Sequence, residues 1–285
     1  MRSKVLVNLL LVLLLTGLAL YALLRSKEPS DTGIKLTQLK RDDVSRITLE
    51  RRGSPTIQLE KREGRWRITA PLQTRAEPTQ VDRLTDITMA TAKHKLPPGD
   101  LPRYELDPPK LKLTLNDDTF AFGRINDVTN EQYVANAGAL YLVAPFYGYG
   151  MPTEVNKLAS RKLLDDSEVP VAFDFGRYRI VRDDRGNWTI EGSYPAQRGK
   201  VLSQDDYNRW ADEWRITSSL GVESHRGARG KERLVVHFKN GKKVSLEILQ
   251  KQPEFLLIRG DENMQYRFGA EVGRRLLDPH VVAEK

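Results

Sequence analysis

The sequence contains no cysteine and little histidine. Without cysteine, the chain forms no disulfide, thiolate zinc site, iron–sulfur cluster or cysteine nucleophile. The 4 histidines are nowhere three or four positions apart, which excludes a helical two-histidine metal site. Neither a G-x-S-x-G nucleophile motif nor a glycine-rich phosphate loop occurs. These absences predict a protein that is not an enzyme and that binds no metal and no cofactor.

A charge-free apolar run occupies residues 5–24. As a helix, a run of this length crosses a hydrocarbon core of about 30 Å. A cleaved signal peptide is the alternative interpretation, because residues 17–19 form a small-x-small site. The apolar run continues beyond that site to Leu24, so the pattern favours a retained transmembrane anchor.

The residues around the anchor indicate its orientation. Residues 1–4 include Arg2 and Lys4 and are expected to stay in the cytoplasm as a short tail. The rest of the chain then lies outside the cytoplasm, after a linker over residues 25–40. Within the anchor, Asn8 has two interpretations: it faces the lipid headgroups near the helix end, or it hydrogen-bonds to another membrane helix.

The chain is moderately basic, with 46 Lys and Arg against 38 Asp and Glu and a formal net charge of +8. The excess is spread along the chain rather than clustered. Such a distribution is typical of a solvated surface, and contact with anionic lipid or an envelope polyanion is the alternative. No nucleic-acid-binding motif is present, so nucleic acid is not an expected partner.

A pattern recurs along the chain at an offset of about 124 residues. Trp66 and Trp188 each follow a strand pattern and a charged turn with glycine, and each precedes an isoleucine on the same face, which is typical of a β-hairpin. Thr79 and Ser203 each open a Ser/Thr-x-x-Asp pattern, which predicts the start of a helix. Alternating strands follow in both halves.

These elements predict two tandem, degenerate copies of one unit, over residues 41–165 and 168–285. Each copy is expected to pack a helix on antiparallel strands and to close with another helix, over residues 154–164 and 270–277. Alternating strands with a helix on one face indicate the α+β fold class. Each copy is long enough to bury a core of its own.

Three stretches of the first copy resemble a known family. They are Trp66 followed five residues later by Pro71, the Tyr-Glu-Leu-Asp-Pro-Pro sequence of residues 104–109, and the Ser-Arg-Lys-Leu-Leu sequence of residues 160–164. Here the chain resembles DUF4340, a bacterial domain of unknown function, over most of residues 40–165, and through the repeat the resemblance reaches the second half. The second copy departs from the pattern, since residues 227–233 stand where a Tyr-x-Leu-x-Pro-Pro stretch is expected.

The resemblance implies a membrane-anchored envelope protein, and it supplies no catalytic residues. Members of the family resemble accessory proteins of ABC-type transporters of the gliding-motility kind. The implied location is the bacterial inner membrane, crossed once, with the bulk of the chain in the periplasm. The implied partners are a membrane protein complex, such as an ABC transporter permease, and the inner membrane itself.

Aromatic residues supply the candidate site. Trp66 and Trp188 recur at equivalent places and are expected in the core, with an aromatic ligand platform as the alternative. Residues 146–151 have no counterpart in the second copy. We interpret them either as a loop packed on its own sheet or as a contact for a partner or a glycan. The candidate contact residues are Phe146, Tyr147, Tyr149, Met151 and, within the anchor, Asn8.

Five aspartate pairs are of the type that serves acid–base chemistry or calcium binding. They are Asp42–Asp43, Asp117–Asp118, Asp165–Asp166, Asp183–Asp184 and Asp205–Asp206. All of them fall in predicted turns, beside strands or at helix ends, where aspartate accepts hydrogen bonds from backbone N–H groups. A structural role is therefore the favoured interpretation.

Two classes of function follow. The first is a membrane-anchored interaction module, an accessory subunit of an ABC-type transporter or of another envelope complex. The second is a binding module for an envelope glycan or polyanion. A hydrolase is a distant third.

Overall fold

The computed structural model describes residues 11–18, 20–21, 33–97, 99–194, 201–227 and 229–283. Residues 11–18 and 20–21 are helical. Within the described ranges, no helix has the length and apolar character required to cross a membrane. The predicted anchor, residues 5–24, falls only partly on described residues, and Asn8 and the predicted cytoplasmic tail lie outside them.

The first half of the chain forms a small sheet and a large one. Its strands are β1 (Ile34–Lys35), β2 (Arg46–Arg51), β3 (Ile57–Arg62), β4 (Arg65–Ala70), β5 (Thr74–Arg75), β6 (Thr91–Ala92), β7 (Lys95–Leu96), β8 (Leu111–Leu115), β9 (Asp118–Ile125), β10 (Gln132–Asn136) and β11 (Ala139–Val143). Strands β1 and β6 pair with each other. The other nine form one sheet in the order β5-β4-β3-β2-β8-β9-β10-β11-β7.

The second half forms a sheet of eight strands. They are β12 (Pro170–Asp174), β13 (Tyr178–Arg182), β14 (Trp188–Gly192), β15 (Gly221–Ser224), β16 (Glu232–Phe238), β17 (Lys243–Gln250), β18 (Glu254–Arg259) and β19 (Met264–Gly269). Their order is β14-β13-β12-β16-β17-β18-β19-β15. From β4 to β7 and from β14 to β15 the two large sheets have the same strand order, and β5 is an extra strand at the edge of the first.

Six helices accompany the sheets in residues 33–283 as far as these are described. They are α1 (Pro78–Thr85), α2 (Phe146–Tyr149), α3 (Val155–Leu158), α4 (Gln204–Ile216), α5 (Ala270–Leu277) and α6 (Pro279–Ala283). Three short 3-10 turns lie at Arg41–Asp43, Asp86–Met89 and Pro102–Tyr104. The α+β prediction with antiparallel sheets is confirmed, because every strand pair in both large sheets is antiparallel.

The strands form where apolar and polar residues alternate. In β2, Ile47 and Leu49 are buried while the residues beside them face outward. In the neighbouring β8, Leu113 and Leu115 are buried in the same way. Because side chains of a strand alternate between its faces, this pattern turns one side of each sheet into a core surface. The buried faces of both large sheets contribute to one hydrophobic cluster.

The two main helices begin in different ways. Helix α4 has the predicted start: Ser203 accepts a hydrogen bond from the Asp206 backbone, and Asp206 reaches back to the Ser203 backbone. For α1 the prediction of a cap at Thr79 is wrong. That helix begins one residue earlier at Pro78, after Glu77, and has no side-chain cap. Proline suits the first helical position because its backbone dihedral angle is already helical and it has no N–H to satisfy.

The predicted helix over residues 154–164 is also shorter than expected. Helix α3 ends at Leu158, and Ala159 then bridges to Ala76 beside β5. The backbone N–H of Ser160 donates to the carbonyl of Arg75 at 2.9 Å. Strand pairing therefore replaces the helix from Ala159 onward, and it draws residues 160–168 into the space between the two large sheets.

Candidate functional site

Helix α2 occupies the stretch that was predicted as a contact loop. A Cβ atom on Gly148 would lie 2.2 Å from Oε1 of Gln132 and 2.8 Å from the ring of Phe122. Glycine is therefore required here, because any side chain would collide with the first sheet. The helix is seated directly on β9 and β10 and is not an irregular connection.

The side chains of this segment divide between core and solvent. Phe146 is 59% exposed and Tyr149 is 71% exposed, and we call these two residues the α2 surface. Tyr147 is half-buried and packs against Phe146, with 4.0 Å between ring centroids and the rings tilted by 35°. Met151 is only 7% exposed and belongs to the core, so its assignment as a contact residue is wrong. Unbranched methionine fills the gap beneath the helix instead.

The two repeated tryptophans have different surroundings. Trp188 is 3% exposed, and its indole nitrogen donates to Asn208 on α4 at 2.9 Å. Trp66 is only partly buried and lines an open cavity of about 410 Å³ beside β5 and residues 160–167. The helix facing the second sheet covers Trp188 more completely than the shorter α1 covers Trp66.

A buried ionic cluster joins the two sheets. Arg75 on β5 donates from Nε to Glu262 at 2.6 Å and from Nη2 to the hydroxyl of Tyr266 at 2.9 Å. The Tyr266 hydroxyl in turn donates to Glu262 at 2.9 Å. Arg75 comes from the first sheet, whereas Tyr266 lies on β19 of the second sheet and Glu262 in the turn before it, so these bonds cross the junction between the sheets.

The second arginine of the cluster binds the segment between the sheets. Arg259 makes a two-pronged contact with Glu168, at 2.6 and 2.8 Å, and it also pairs with Asp261 at 2.9 Å. Arg259 and Arg75 both donate to the carbonyl of Leu163, at 2.7 and 3.1 Å. We call Arg75, Glu168, Arg259, Glu262 and Tyr266 the junction cluster.

Charge pairing controls the protonation of this cluster. Burial by itself would raise the pKa of Glu262, but the positive charges of Arg75 and Arg259 outweigh burial and hold that pKa below its usual value. Burial raises the pKa of Tyr266 well above the usual value for tyrosine. At neutral pH the cluster therefore contains ionised arginines, an ionised glutamate and a neutral phenol that donates a hydrogen bond.

Sequence reasoning missed the junction cluster for a physical reason. Arg75 is one of many arginines in a chain with 46 basic residues, and nothing in its local pattern marks it as buried. Its partner Glu262 is 187 positions away. The available signal was the Ser-Arg-Lys-Leu-Leu stretch of residues 160–164, whose backbone carbonyls receive the two arginines.

The lowered pKa of Glu262 predicts a loss of stability in acid. A carboxyl group whose pKa is lower in the folded state stabilises the fold above its unfolded pKa of about 4, and this stabilisation is lost as the pH falls through the folded pKa. We expect the free energy of unfolding, measured by urea titration, to fall between about pH 5 and about pH 3. Glu262→Gln removes this titration, so its curve should fall less steeply. Identical slopes in the two proteins would contradict the assignment.

A tyrosine, an aspartate and a histidine also meet at the end of the second sheet. The Tyr194 hydroxyl lies 3.1 Å from both Asp278 Oδ1 and His280 Nδ1. Burial, followed by the charge of Asp278, raises the pKa of Tyr194 far above its usual value. The hydroxyl therefore stays protonated at neutral pH, and its contacts tie α6 to the segment after β14.

Within the described ranges, no group of three or more His, Asp or Glu side chains is arranged to hold a metal ion. The aspartate pairs make backbone contacts: Asp183 accepts from the N–H groups of Arg185 and Asn187, and Asp165 accepts from that of Ser167. These are the turn contacts that aspartate forms for local reasons.

The α2 surface, Arg75 and residues 160–168 all fall within a stretch that matches a described family. The family profile of Domain of unknown function (DUF4340) matches residues 66–226, which is more than half of the chain. The chain belongs to this family. As the resemblance indicated, the match reaches the second half, where it continues through α4 and β15. Comparison with the curated proteins and with the solved structures finds no match.

The DUF4340 match covers only part of the junction cluster. Arg75 and Glu168 lie inside the matched residues, whereas Arg259, Glu262 and Tyr266 lie beyond residue 226. Trp188 and the α2 surface lie inside them as well. The family segment therefore carries the exposed aromatic residues and one side of the ionic junction.

Proposed function

We propose that this protein is a membrane-anchored interaction module that holds a partner at the bacterial inner membrane, as an accessory subunit of an ABC-type transporter or another envelope complex. The observation that carries the proposal is the α2 surface. Phe146 and Tyr149 are held in the open by a helix that Gly148 seats tightly on the sheet. Rigid exposed aromatic residues are typical centres of protein–protein contacts.

The position of the folded part supports a partner within the membrane. We propose that residues 5–24 form the anchor, with the rest of the chain in the periplasm. Eight residues lie between Leu24 and Gly33, where the described fold begins. A chain of that length spans at most about 30 Å. The sheets then stay within reach of the extramembrane loops of a neighbouring membrane protein.

We further propose that the two large sheets are copies of one unit. The shared strand order supports this, together with the sequence offset of about 124 residues between Trp66 or Thr79 and their counterparts. Helix α2 follows the last strand of the first sheet as α5 follows the last strand of the second, but α5 carries no aromatic residue. A feature present in one copy only is the more informative one for function, because a repeated fold needs its packing residues twice.

Co-purification tests the interaction module. Full-length protein extracted from native membranes in mild detergent should bring down a multi-span membrane protein. Phe146→Ala with Tyr149→Ala should weaken that association at least about tenfold, because aromatic contacts at interface centres contribute the most to binding. Since both side chains are exposed, the free energy of unfolding should change by less than about 1 kcal/mol.

A matched control is provided by Val128→Ala with Val201→Ala. These residues are also apolar and are 92% and 91% exposed, but they lie elsewhere. The control should leave the association unchanged. If the unaltered protein purifies alone under conditions that preserve other envelope complexes, the interaction module is refuted.

The second candidate function is binding of an envelope glycan or polyanion. It is supported by the net charge of +8 and by an open, basic cavity on the second sheet. Polyanion binding weakens steeply with added salt, whereas assembly through aromatic residues does not. Salt dependence of retention on an anionic polysaccharide column separates the two functions.

A further inference from the structure

The second sheet carries an open cavity of about 780 Å³ next to the turn between β12 and β13. Its lining combines aromatic, basic, acidic and apolar side chains. The lining residues are Phe175, Arg177, Tyr178, Ser193, Glu232, Arg233, Ile248, Lys251 and Leu277. A volume of this order is typical of sites for small organic molecules.

Two guanidinium groups in this cavity have no carboxylate partner among the described residues. Arg177 makes no side-chain ion pair there, and Arg233 donates from Nε only to the hydroxyl of Ser245 at 2.6 Å. By contrast, Lys251 is paired with Glu232 at 2.7 Å. The lining therefore has an excess of two positive charges, both on arginine, which binds carboxylate and phosphate oxygens through parallel hydrogen bonds.

The turn places two stacked aromatic rings, which we call the aromatic wall, beside these charges. The backbone N–H of Phe175 donates to the carbonyl of Tyr178 at 3.0 Å, which closes a two-residue turn with Gly176 at a φ of 83°. The rings of Phe175 and Tyr178 stack at 4.7 Å between centroids, and Arg177 stands at the tip of the turn. Burial raises the pKa of Tyr178 to about 12, so its hydroxyl is neutral at physiological pH and does not repel an anion.

The first sheet has a cavity at the same place that lacks the aromatic wall. It measures about 340 Å³ and lies beside the turn between β2 and β3. Its lining residues are Glu50, Arg51, Arg52, Thr56, Pro109 and Lys112. Each cavity is lined by three basic residues and one acidic residue, so the two cavities have the same net charge. They differ in their aromatic content.

We propose that the cavity on the second sheet binds an anionic sugar, with Arg177 and Arg233 on its acidic group and an outer face of the stacked Phe175–Tyr178 wall against the apolar face of the pyranose ring. The face of an aromatic ring is electron-rich and attracts the polarised C–H groups of the sugar. Glu232, the acidic residue of the lining, accepts hydrogen bonds from the sugar hydroxyl groups. The acidic group is a carboxylate or a phosphate, since both present the same oxygen geometry to arginine. This inference deepens the second candidate function and does not depend on the membrane partner.

Isothermal titration of the full-length protein in detergent tests the inference. The probes are glucuronate, glucose 6-phosphate and uncharged glucose. We expect one or both anionic sugars to bind at least about tenfold more tightly than glucose, because charge-assisted hydrogen bonds to arginine are roughly twice as strong as those between neutral groups. Whichever anion binds more tightly identifies the acidic group.

Two pairs of substitutions locate the site. Arg177→Gln with Arg233→Gln should weaken binding of the anionic sugar at least about tenfold. Arg51→Gln with Arg52→Gln removes the same charge from the equivalent cavity of the first sheet and should leave binding unchanged. Phe175→Ala should weaken binding of all sugars, and its folding is checked by circular dichroism. All four arginines lie at the surface, so these variants remain informative if Phe175→Ala does not fold.

Three results would overturn the inference. The first is that neither anionic sugar binds at about 10 mM, which means a Kd more than about 100-fold above the 0.1 mM of a modest specific site. The second is equal weakening of binding by the two pairs of arginine substitutions. The third is binding of anionic lipid vesicles without binding of soluble sugars. Equal weakening together with retention on an anionic polysaccharide column would leave the general polyanion function standing while refuting this site. Loss of both would refute the polyanion function as well.

Discussion

Trp210→Ala should lower the free energy of unfolding by about 3–5 kcal/mol. The Trp210 side chain is fully buried, its ring lies 4.4 Å from that of Phe173, and its indole nitrogen donates to the carbonyl of Leu276 at 3.0 Å. The substitution leaves a cavity between α4, β12 and α5 and an unpaired carbonyl. Urea unfolding followed by circular dichroism measures the change.

Trp66→Ala is the matched control for this prediction. The same atoms are removed, but Trp66 is partly buried at the edge of the first sheet. We expect a loss of about 1–2 kcal/mol, because less apolar surface returns to water. Equal losses for the two substitutions would show that α4 does not organise the second core as the structure indicates.

Arg75→Met should destabilise the protein by about 3–5 kcal/mol, since it leaves the buried Glu262 carboxylate without its main counter-charge. Arg75 and Glu262 are 5% and 6% exposed, so water does not replace the lost partner. Because the pair spans the two sheets, the unfolding transition should also broaden or divide into two steps. Urea titration monitored separately by tryptophan fluorescence and circular dichroism detects this division.

The double variant Arg75→Met with Glu262→Leu is the informative comparison. It removes both charges, and buried ion pairs replaced by apolar residues of similar size are often neutral in stability. We expect it to be more stable than Arg75→Met alone by at least about 1 kcal/mol. A double variant that loses the sum of the two single effects would mean that the residues do not interact.

Local patterns in the sequence predict most of the fold. Alternation identifies strands such as β2 and β8, and the capping box at Ser203 identifies the start of α4. These signals are local because strand alternation and helix capping depend on neighbours within a few residues. The early end of α3 at Leu158 could not be predicted this way, since a partner on β5 causes it.

The candidate site likewise combines features that the local sequence predicts with features that depend on distant residues. Composition singles out residues 146–151 as a contact candidate, yet the sequence ranks Met151 equally with Phe146, and only the packing beneath Gly148 separates core from surface. The cavity on the second sheet was missed because Arg177 and Arg233 are distant in sequence and converge only through strand pairing. Charge and aromatic content are visible in a sequence, whereas burial and convergence are not.

The junction cluster also has a consequence for biosynthesis. Arg75 emerges from the ribosome 187 residues before Glu262. At typical rates of synthesis, roughly 10–40 s pass between them. Once β11 is complete at Val143, the first sheet has its strands but not the acid that neutralises Arg75, and its β5 edge has not yet met the second sheet. The segment from Arg259 to Tyr266 therefore completes the first half as well as the second, and a nascent chain released before Glu262 leaves that edge open to other partners.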